Sequence, residues 1–574
     1  MMKSWWKLLL VLLGITAVLS PTLPIQEADA QTAVDTRFGA VESFWAPNEA
    51  ADLNVGWDRV LFYWNEIQPN GPGDWNTLHV LEEWLVDANN HGRTILGLLK
   101  NTPYWATDGE PYSGVPRGLY LPVDDSGNLW ANYVRQVVAY YGPRGVHNWI
   151  VWNEPDIEAG VYGYEFGGTT ADYYQLVKVA YQVIKQADPT ATVHLGGMTY
   201  WHDPGFLRRY LSVVVADPEA AANNYYFDVI TVHIYFRPET MQTIIGSAFA
   251  AQAEKGISPL KEVWVNETNA RPSKDPEWPV QVQAFELDLE QQAWYIPQAF
   301  ALGFYAGAAR MGIYKLVDVN MSPGDESWGL IRPYDFSRRP AYYAYQNTIK
   351  YLSGFTYPIR REAGGDYFIV SFNRLQGAAP AQAGVTRVMW ARYGTPVSLK
   401  VPALADSAQL VDVMGNVEVV TAVNGAYDIT LDPARCAGEC LIGGPPLFLV
   451  EEGVISQPGQ SAQPISQPAA TPTATVEITA TAVLTPTLTP TTTSTLTPSP
   501  EPTSTPTATP SPTLEPTETA VATAVALLPT ATIEPAATIE PAVSSTPSSQ
   551  ASWWFIGLGL LLAAMLVVGN RVRR

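Results

Sequence analysis

The sequence predicts an α/β protein: a (β/α)8 TIM barrel followed by a small antiparallel β-sandwich domain, then a disordered Pro/Thr-rich stalk and one transmembrane helix. Three observations predict this order. Between residues 35 and 352, eight short β-rich runs alternate with amphipathic helical stretches, the pattern of βαβ units around a parallel sheet. From about 355 to 452 the alternation gives way to successive strands separated by turns carrying Gly and Asn. Beyond 452, Thr, Pro, Ser and Ala dominate until a final apolar run.

The opening segment, "MMKSWWKLLLVLLGITAVLS", sets Lys3 and Lys7 ahead of a short apolar core, and "ADA" at 28–30 offers the small residues that a signal peptidase reads. Residues 1–30 therefore read as a signal peptide. The barrel is assigned to 31–352. Its strands are expected at "RFGAVESFW" (37–45), "WDRVLFYW" (57–64), "RTILGLLK" (93–100), "HNWIVWNE" (147–154), "TVHLGGM" (192–198), "FDVITVHIY" (227–235), "KEVWVNET" (261–268) and "GIYKLVDV" (312–319). Helical patterns such as "LWANYVRQVVAYYG" and "ADYYQLVKVAYQVIKQAD" intervene. Eight such units fit a closed barrel better than a doubly wound open sheet, and no Gly-rich phosphate turn follows the first strand.

Residues 353–452 form the sandwich, with strands expected at "DYFIVSFNR", "TRVMWARYG", "VSLKVPA", "AQLVDVMGN", "AYDITLD" and "PPLFLVEE". It could bind carbohydrate, but a structural brace for the barrel is the more economical reading. The chain has two cysteines, Cys436 and Cys440 in "RCAGEC", and in an exported protein these pair as a small disulfide. A zinc site would need two further ligands nearby. Residues 453–550 lack the apolar groups that offset chain entropy, and their prolines favour an extended stalk of about 3.1 Å per residue. Residues 551–570 are apolar enough to span a bilayer, with Trp553 and Trp554 at one interface. Arg571, Arg573 and Arg574 lie in a basic cytoplasmic tail, 571–574, which leaves the folded domains outside the cell.

A net charge of −21 with a pI near 4.7 argues against nucleic acid, since a phosphate binder needs a basic face. A barrel places function at the carboxyl ends of its strands. There the fourth run ends "WNEPD", with Asn153 and Glu154 followed by Pro155 and Asp156, which read as ordinary turn formers. The seventh run, "VWVNETN", brings a second acid, Glu267, to the same end of the sheet. Two facing carboxyls can divide the work of glycosidic cleavage, one protonating the leaving oxygen and the other attacking or activating water.

These positions resemble the retaining glycoside hydrolases of clan A, including the family 39 type and related β-glycanases. The resemblance covers about residues 35–352 and rests on Asn153-Glu154-Pro155, Glu267, and residues on the other strands. It implies that Glu154 is the acid/base and Glu267 the nucleophile. It also implies that Asn153 binds the sugar 2-hydroxyl, that Arg59 and Tyr235 attend the nucleophile, that His233 belongs to the strand-six His-x-Tyr pattern, and that Trp328 floors the sugar site. The expected carboxyl separation is about 5 to 5.5 Å.

Trp45, Trp64, Trp105, Trp201 and Trp328 are candidate sugar-stacking rings. After the third strand stands Asn101-Thr102-Pro103-Tyr104-Trp105, where several clan families have a histidine, so the family within the clan stays open. Asn266-Glu267-Thr268 also spells a glycosylation acceptor, though a strand end pointing into a barrel suits a glycan poorly. The expectation is a carbohydrate substrate with no metal or organic cofactor. The alternative is an inactive carbohydrate-binding or adhesive protein on the same fold.

Overall fold

The computed structural model describes residues 34–157, 165–278, 280, 285–319, 327–374, 383–436 and 440–454. The expected signal peptide (1–30), the linker (453–550) apart from its first two residues, the transmembrane helix (551–570) and the basic tail (571–574) lie outside the described residues. Among the described residues, no helix is long and apolar enough to cross a membrane.

Eight parallel strands close into a barrel in sequence order: β1 (Asp35–Val41), β2 (Val55–Tyr63), β3 (Thr94–Lys100), β4 (Val146–Val151), β5 (Thr192–Leu195), β6 (Val229–Tyr235), β7 (Glu262–Asn269) and β8 (Arg310–Ile313), with β8 pairing back to β1. Each expected run contains a strand, but the ends differ. β4 stops at Val151, so Glu154 stands three residues beyond it on a loop. β7 continues past Glu267 to Asn269, and β8 starts earlier than expected, leaving Tyr314 and Lys315 beyond its end.

Helices such as Leu129–Tyr141 and Thr170–Ala187 pack around the barrel. The second starts in a capping box, in which the Thr169 hydroxyl and the Asp172 carboxylate satisfy each other's backbone N–H groups. Inside the barrel, Trp57, Leu96, Leu98, Ile150, Val229 and Trp264 form a buried plug. Gly39 and Gly312 flank Trp57, and a Cβ on either would run into the indole. Side chains alternate along a strand, so with Trp57 and Leu61 facing this plug, Arg59 between them must also face inward, one layer nearer the mouth.

The second domain pairs a six-stranded antiparallel sheet with a two-stranded one. The larger sheet holds β9 (Phe355–Ala363), β10 (Tyr367–Arg374), β11 (Gly384–Ala391), β13 (Ser407–Val411), β14 (Val417–Thr421) and β16 (Leu447–Glu452); the smaller holds β12 (Val397–Pro402) and β15 (Ala426–Leu431). β9 and β14 are the two edges of the larger sheet, and neither was expected from the sequence. Pro358 interrupts the β9 pattern and is tolerated because an edge strand need not donate on both sides.

Residues of β10 alternate between two cores. Phe368, Val370 and Phe372 join the barrel core, while Tyr367 and Ile369 pack against β12 and β15. The barrel and this sheet therefore share one continuous apolar interior. The seam is also hydrogen-bonded: Gln298 on helix Leu289–Tyr305 donates to Gly444 O at 2.9 Å and accepts from Gly443 N at 3.0 Å. Asn347 donates to Val413 O at 3.1 Å. Cys436 and Cys440 are joined in a disulfide.

Candidate active site

Strand pairing brings the acids together. In β6 and β7, Val232 pairs with Val265 but His233 pairs with Glu267, so Asn266 is an extra, bulged residue. The bulge decides the orientation of Glu267. Trp264 faces the barrel interior and Val265 packs outside, so strict alternation would put Glu267 on the outer face with Val265. One inserted residue reverses that parity and turns the carboxylate into the mouth.

There the Arg59 guanidinium meets Glu267, with Nη1 2.5 Å from Oε1 and both side chains buried. The contact is an ion pair more than an aligned hydrogen bond, since Arg59 Nη1 and Nε lack hydrogen-bond geometry to any acceptor. The Tyr235 hydroxyl donates to the other oxygen of Glu267. Burial pushes the Glu267 carboxyl up, but Arg59, His233 and Tyr235 together outweigh it and hold its pKa below the ordinary value. Burial pushes the Arg59 pKa down, but Glu267, by charge and hydrogen bond, together with Tyr314 and Glu42 outweighs it and moves the pKa up.

Glu154 reaches the same point from the loop after β4. Trp152 and Glu154 both have positive φ, 73° and 44°, a strained backbone held by bonds from Trp152 N to Leu99 O at 2.9 Å and Glu154 N to Gly197 O at 3.0 Å. His233 stands between the acids: its Nδ1 lies 2.7 Å from Glu154 Oε1 and 3.3 Å from Glu267 Oε2. Burial disfavours the charged imidazole, yet the Glu267 charge and the Glu154 hydrogen bond push the His233 pKa up. Gly197 lets this ring fit, because a Cβ there would collide with it.

One ligating atom each from Glu154, His233 and Glu267 lies within 4.8 Å of the others. Two carboxylates and an imidazole at that spacing could in principle bind a cation. However, Arg59 already supplies a positive charge to Glu267, and a divalent ion would be repelled by it. Carboxylate oxygens this close fall on the short side of the two geometries, about 5 to 5.5 Å and about 6.5 to 9.5 Å between carboxyls, that separate attack by a carboxylate from attack by water.

The other predicted residues differ in their surroundings. Asn153 Oδ1 is buried with no hydrogen-bond partner, an acceptor left open beside Glu154. Trp328 is 6 % exposed, its ring centroid 5.0 Å from that of Tyr235, and its backbone N donates to Asp318 Oδ1 at 2.9 Å. Asp318 is held by the buried Arg339 (Nη1–Oδ2 2.9 Å), which also bonds Asp275 through Nε at 3.0 Å. Trp105 donates through Nε1 to Gln68 O at 2.7 Å, and its ring stands edge-on to Trp64 at 5.7 Å. Trp64 is fully buried and cannot be a stacking surface, whereas Trp45 and Trp201 are 47 % and 57 % exposed.

Sequence reasoning missed three functional-looking groups. Glu42 and Lys315 form a buried pair at 2.8 Å just beyond the ends of β1 and β8. Asp156, read as a turn former, is 1 % exposed and accepts from Thr199 N at 2.9 Å, Thr199 Oγ1 at 2.7 Å and Tyr200 N at 3.0 Å. It ties the loop after β4 to the loop after β5. A carboxylate two residues after a strand-end acid was a visible signal, but its partners lie more than forty residues away.

No family model and no curated protein matches the sequence. Among solved structures, the chain is similar to a family 39 glycoside hydrolase from the gut symbiont Bacteroides cellulosilyticus, at 17 % identity over 73 % of this chain and 82 % of that one, with a TM-score of 0.55. A family 39 β-xylosidase from Caulobacter crescentus aligns at 15 % identity over 73 % and 97 % of the two chains, TM-score 0.47. A family 30 endoxylanase from Clostridium papyrosolvens aligns at 14 % identity over 74 % and 98 %, TM-score 0.47. The first of these likenesses establishes a shared fold.

Proposed function

We propose that the chain is a retaining glycoside hydrolase that cleaves O-glycosidic bonds of a β-linked oligo- or polysaccharide by double displacement. In this reading it is exported and tethered at the cell surface by its C-terminal helix. One observation carries the activity: Glu154 and Glu267 approach within 4.8 Å, share His233, and differ in surroundings, only Glu267 being paired with a guanidinium. That asymmetry suits an ionised nucleophile facing a proton donor.

Glu267 attacks the anomeric carbon as the bond to the leaving oxygen breaks, and Glu154 gives that oxygen its proton. The product is a glycosyl ester of Glu267 and an ionised Glu154. Water then attacks the same carbon, Glu154 takes the water's proton, and Glu267 leaves as carboxylate. His233 Nδ1 is within reach of both acids, so one donor can serve whichever carboxylate is charged. The open acceptor of Asn153 fits a sugar hydroxyl. The family 39 neighbour supports the reaction class by fold likeness.

The test is an assay on aryl glycosides and β-linked polysaccharides with Glu154→Ala and Glu267→Ala. The expected product keeps the substrate's anomeric configuration. With added azide, the Glu154 variant yields a glycosyl azide of retained configuration and the Glu267 variant one of inverted configuration. Undiminished turnover by Glu267→Ala overturns the nucleophile assignment, whereas a parent chain that binds these saccharides without turning them over leaves binding without catalysis as the reading to pursue.

A further inference from the structure

The loop after β5 is bound to the loop after β4 at two points, and both involve the acid's own neighbourhood. Glu154 N donates to Gly197 O at 3.0 Å, and Asp156 accepts from Thr199 N, Thr199 Oγ1 and Tyr200 N. The next residue is Trp201. Its N bonds Thr199 O at 2.7 Å, its ring stands edge-on to Tyr200 with centroids 5.2 Å apart, and its indole is 57 % exposed. Tyr200 has φ 65°, a left-handed backbone that a bulky residue adopts only when its surroundings impose it.

An open indole and a strained tyrosine backbone both cost stability. The indole contributes to neither buried core, while the Tyr200 ring packs against the edge of the larger one. What they achieve is to present a flat aromatic surface at a fixed place relative to Glu154. The side on which it lies follows from the chemistry. Glu154 protonates the leaving oxygen, so the group bearing that oxygen lies over the loops of Glu154, those after β4 and β5.

We propose that Trp201 is the stacking platform for the sugar unit on the leaving-group side of the scissile bond, and that Asp156 is the positioning residue that fixes this platform relative to the acid. The inference rests on the hydrolase reading above and deepens it: the leaving group recognised is itself a saccharide. The apolar C–H face of a pyranose meets the indole, while its hydroxyls remain in water.

The test uses the full chain and two substrates sharing one glycone, a glycosyl fluoride and a β-linked oligosaccharide. The fluoride has no leaving-group sugar to stack. The readout is the ratio of kcat/KM on oligosaccharide to kcat/KM on fluoride. Trp201→Ala is expected to lower this ratio about tenfold, equivalent to about 1.4 kcal/mol, and Trp201→Phe to restore most of it. Asp156→Asn is expected to lower the ratio too, and Asp156→Asn combined with Trp201→Ala to lower it no further than Trp201→Ala alone. A ratio that stays at the parent value in Trp201→Ala overturns the platform, and additive losses in the double variant overturn the positioning role. A parent that turns over neither substrate overturns the hydrolase reading itself, which separates that failure from the other two.

Discussion

Replacing Arg59 by methionine removes the positive charge from Glu267 while keeping much of the side-chain volume in the barrel. At 2.5 Å and an effective dielectric near 20, the gross Coulomb attraction is about 7 kcal/mol. Desolvation of two buried ions, several kcal/mol each, opposes it. What survives is a net depression of the Glu267 pKa below its ordinary value. Without Arg59, burial is opposed only by His233 and Tyr235, so the Glu267 carboxyl rises and binds its proton more readily.

The acid limb of the kcat/KM profile, which reports ionisation of Glu267 in the free enzyme, should therefore move to higher pH. The assay is a pH series on an aryl glycoside with a good leaving group, where proton donation by Glu154 matters least. Folding stability at neutral pH should fall by about 3 to 5 kcal/mol, because an uncompensated buried carboxylate remains. Linkage gives the sign. The folded pKa of Glu267 is depressed in the parent, so its ionised form contributes stability that is lost as pH falls through that pKa, and Arg59→Met should weaken this dependence. An acid limb that stays in place in a folded Arg59→Met variant would refute the reasoning.

Three further outcomes follow from the geometry. Gly197→Ala should displace the His233 ring and cost about a hundredfold in kcat, with near-ultraviolet circular dichroism unchanged, since misplacing a site group by about 1 Å costs this much. Arg339→Met leaves the buried Asp318 without its cation, although Asp275 keeps Arg332 at 2.9 Å, and should cost about 3 to 5 kcal/mol in urea unfolding while loosening Trp328. Asp58 is pushed by burial from 3.8 up to about 6, roughly two units, on the order of 3 kcal/mol. Because the folded pKa is raised, its protonated form stabilises the fold fully below the unfolded value, and that contribution is lost as pH rises through about 6. Asp58→Asn should therefore gain stability relative to the parent across that window in thermal melts at successive pH values.

The barrel was legible because its strands are local facts. Each is an apolar run of fixed length followed by a helical period, and both patterns survive in one dimension. Asn153, Glu154 and Glu267 were legible as polar residues at the ends of such runs. The sandwich was less so: Pro358 disguised β9, and β14 is an exposed edge with little apolar signal of its own. Trp64 and Trp201 look alike in sequence, and one is buried while the other is open.

By itself, then, the sequence determined the order of strands and helices and which residue types stand at the barrel mouth. The tertiary structure decided which of them meet. The bulge at Asn266 turned Glu267 inward, pairing of β6 with β7 set His233 beside it, and Asp156 became an anchor for the loop after β5 instead of a turn. The physical reason is that side-chain parity and register are set by hydrogen bonding between strands far apart in the chain. A one-residue shift reverses which face a carboxylate takes, and nothing within its own strand reports that shift.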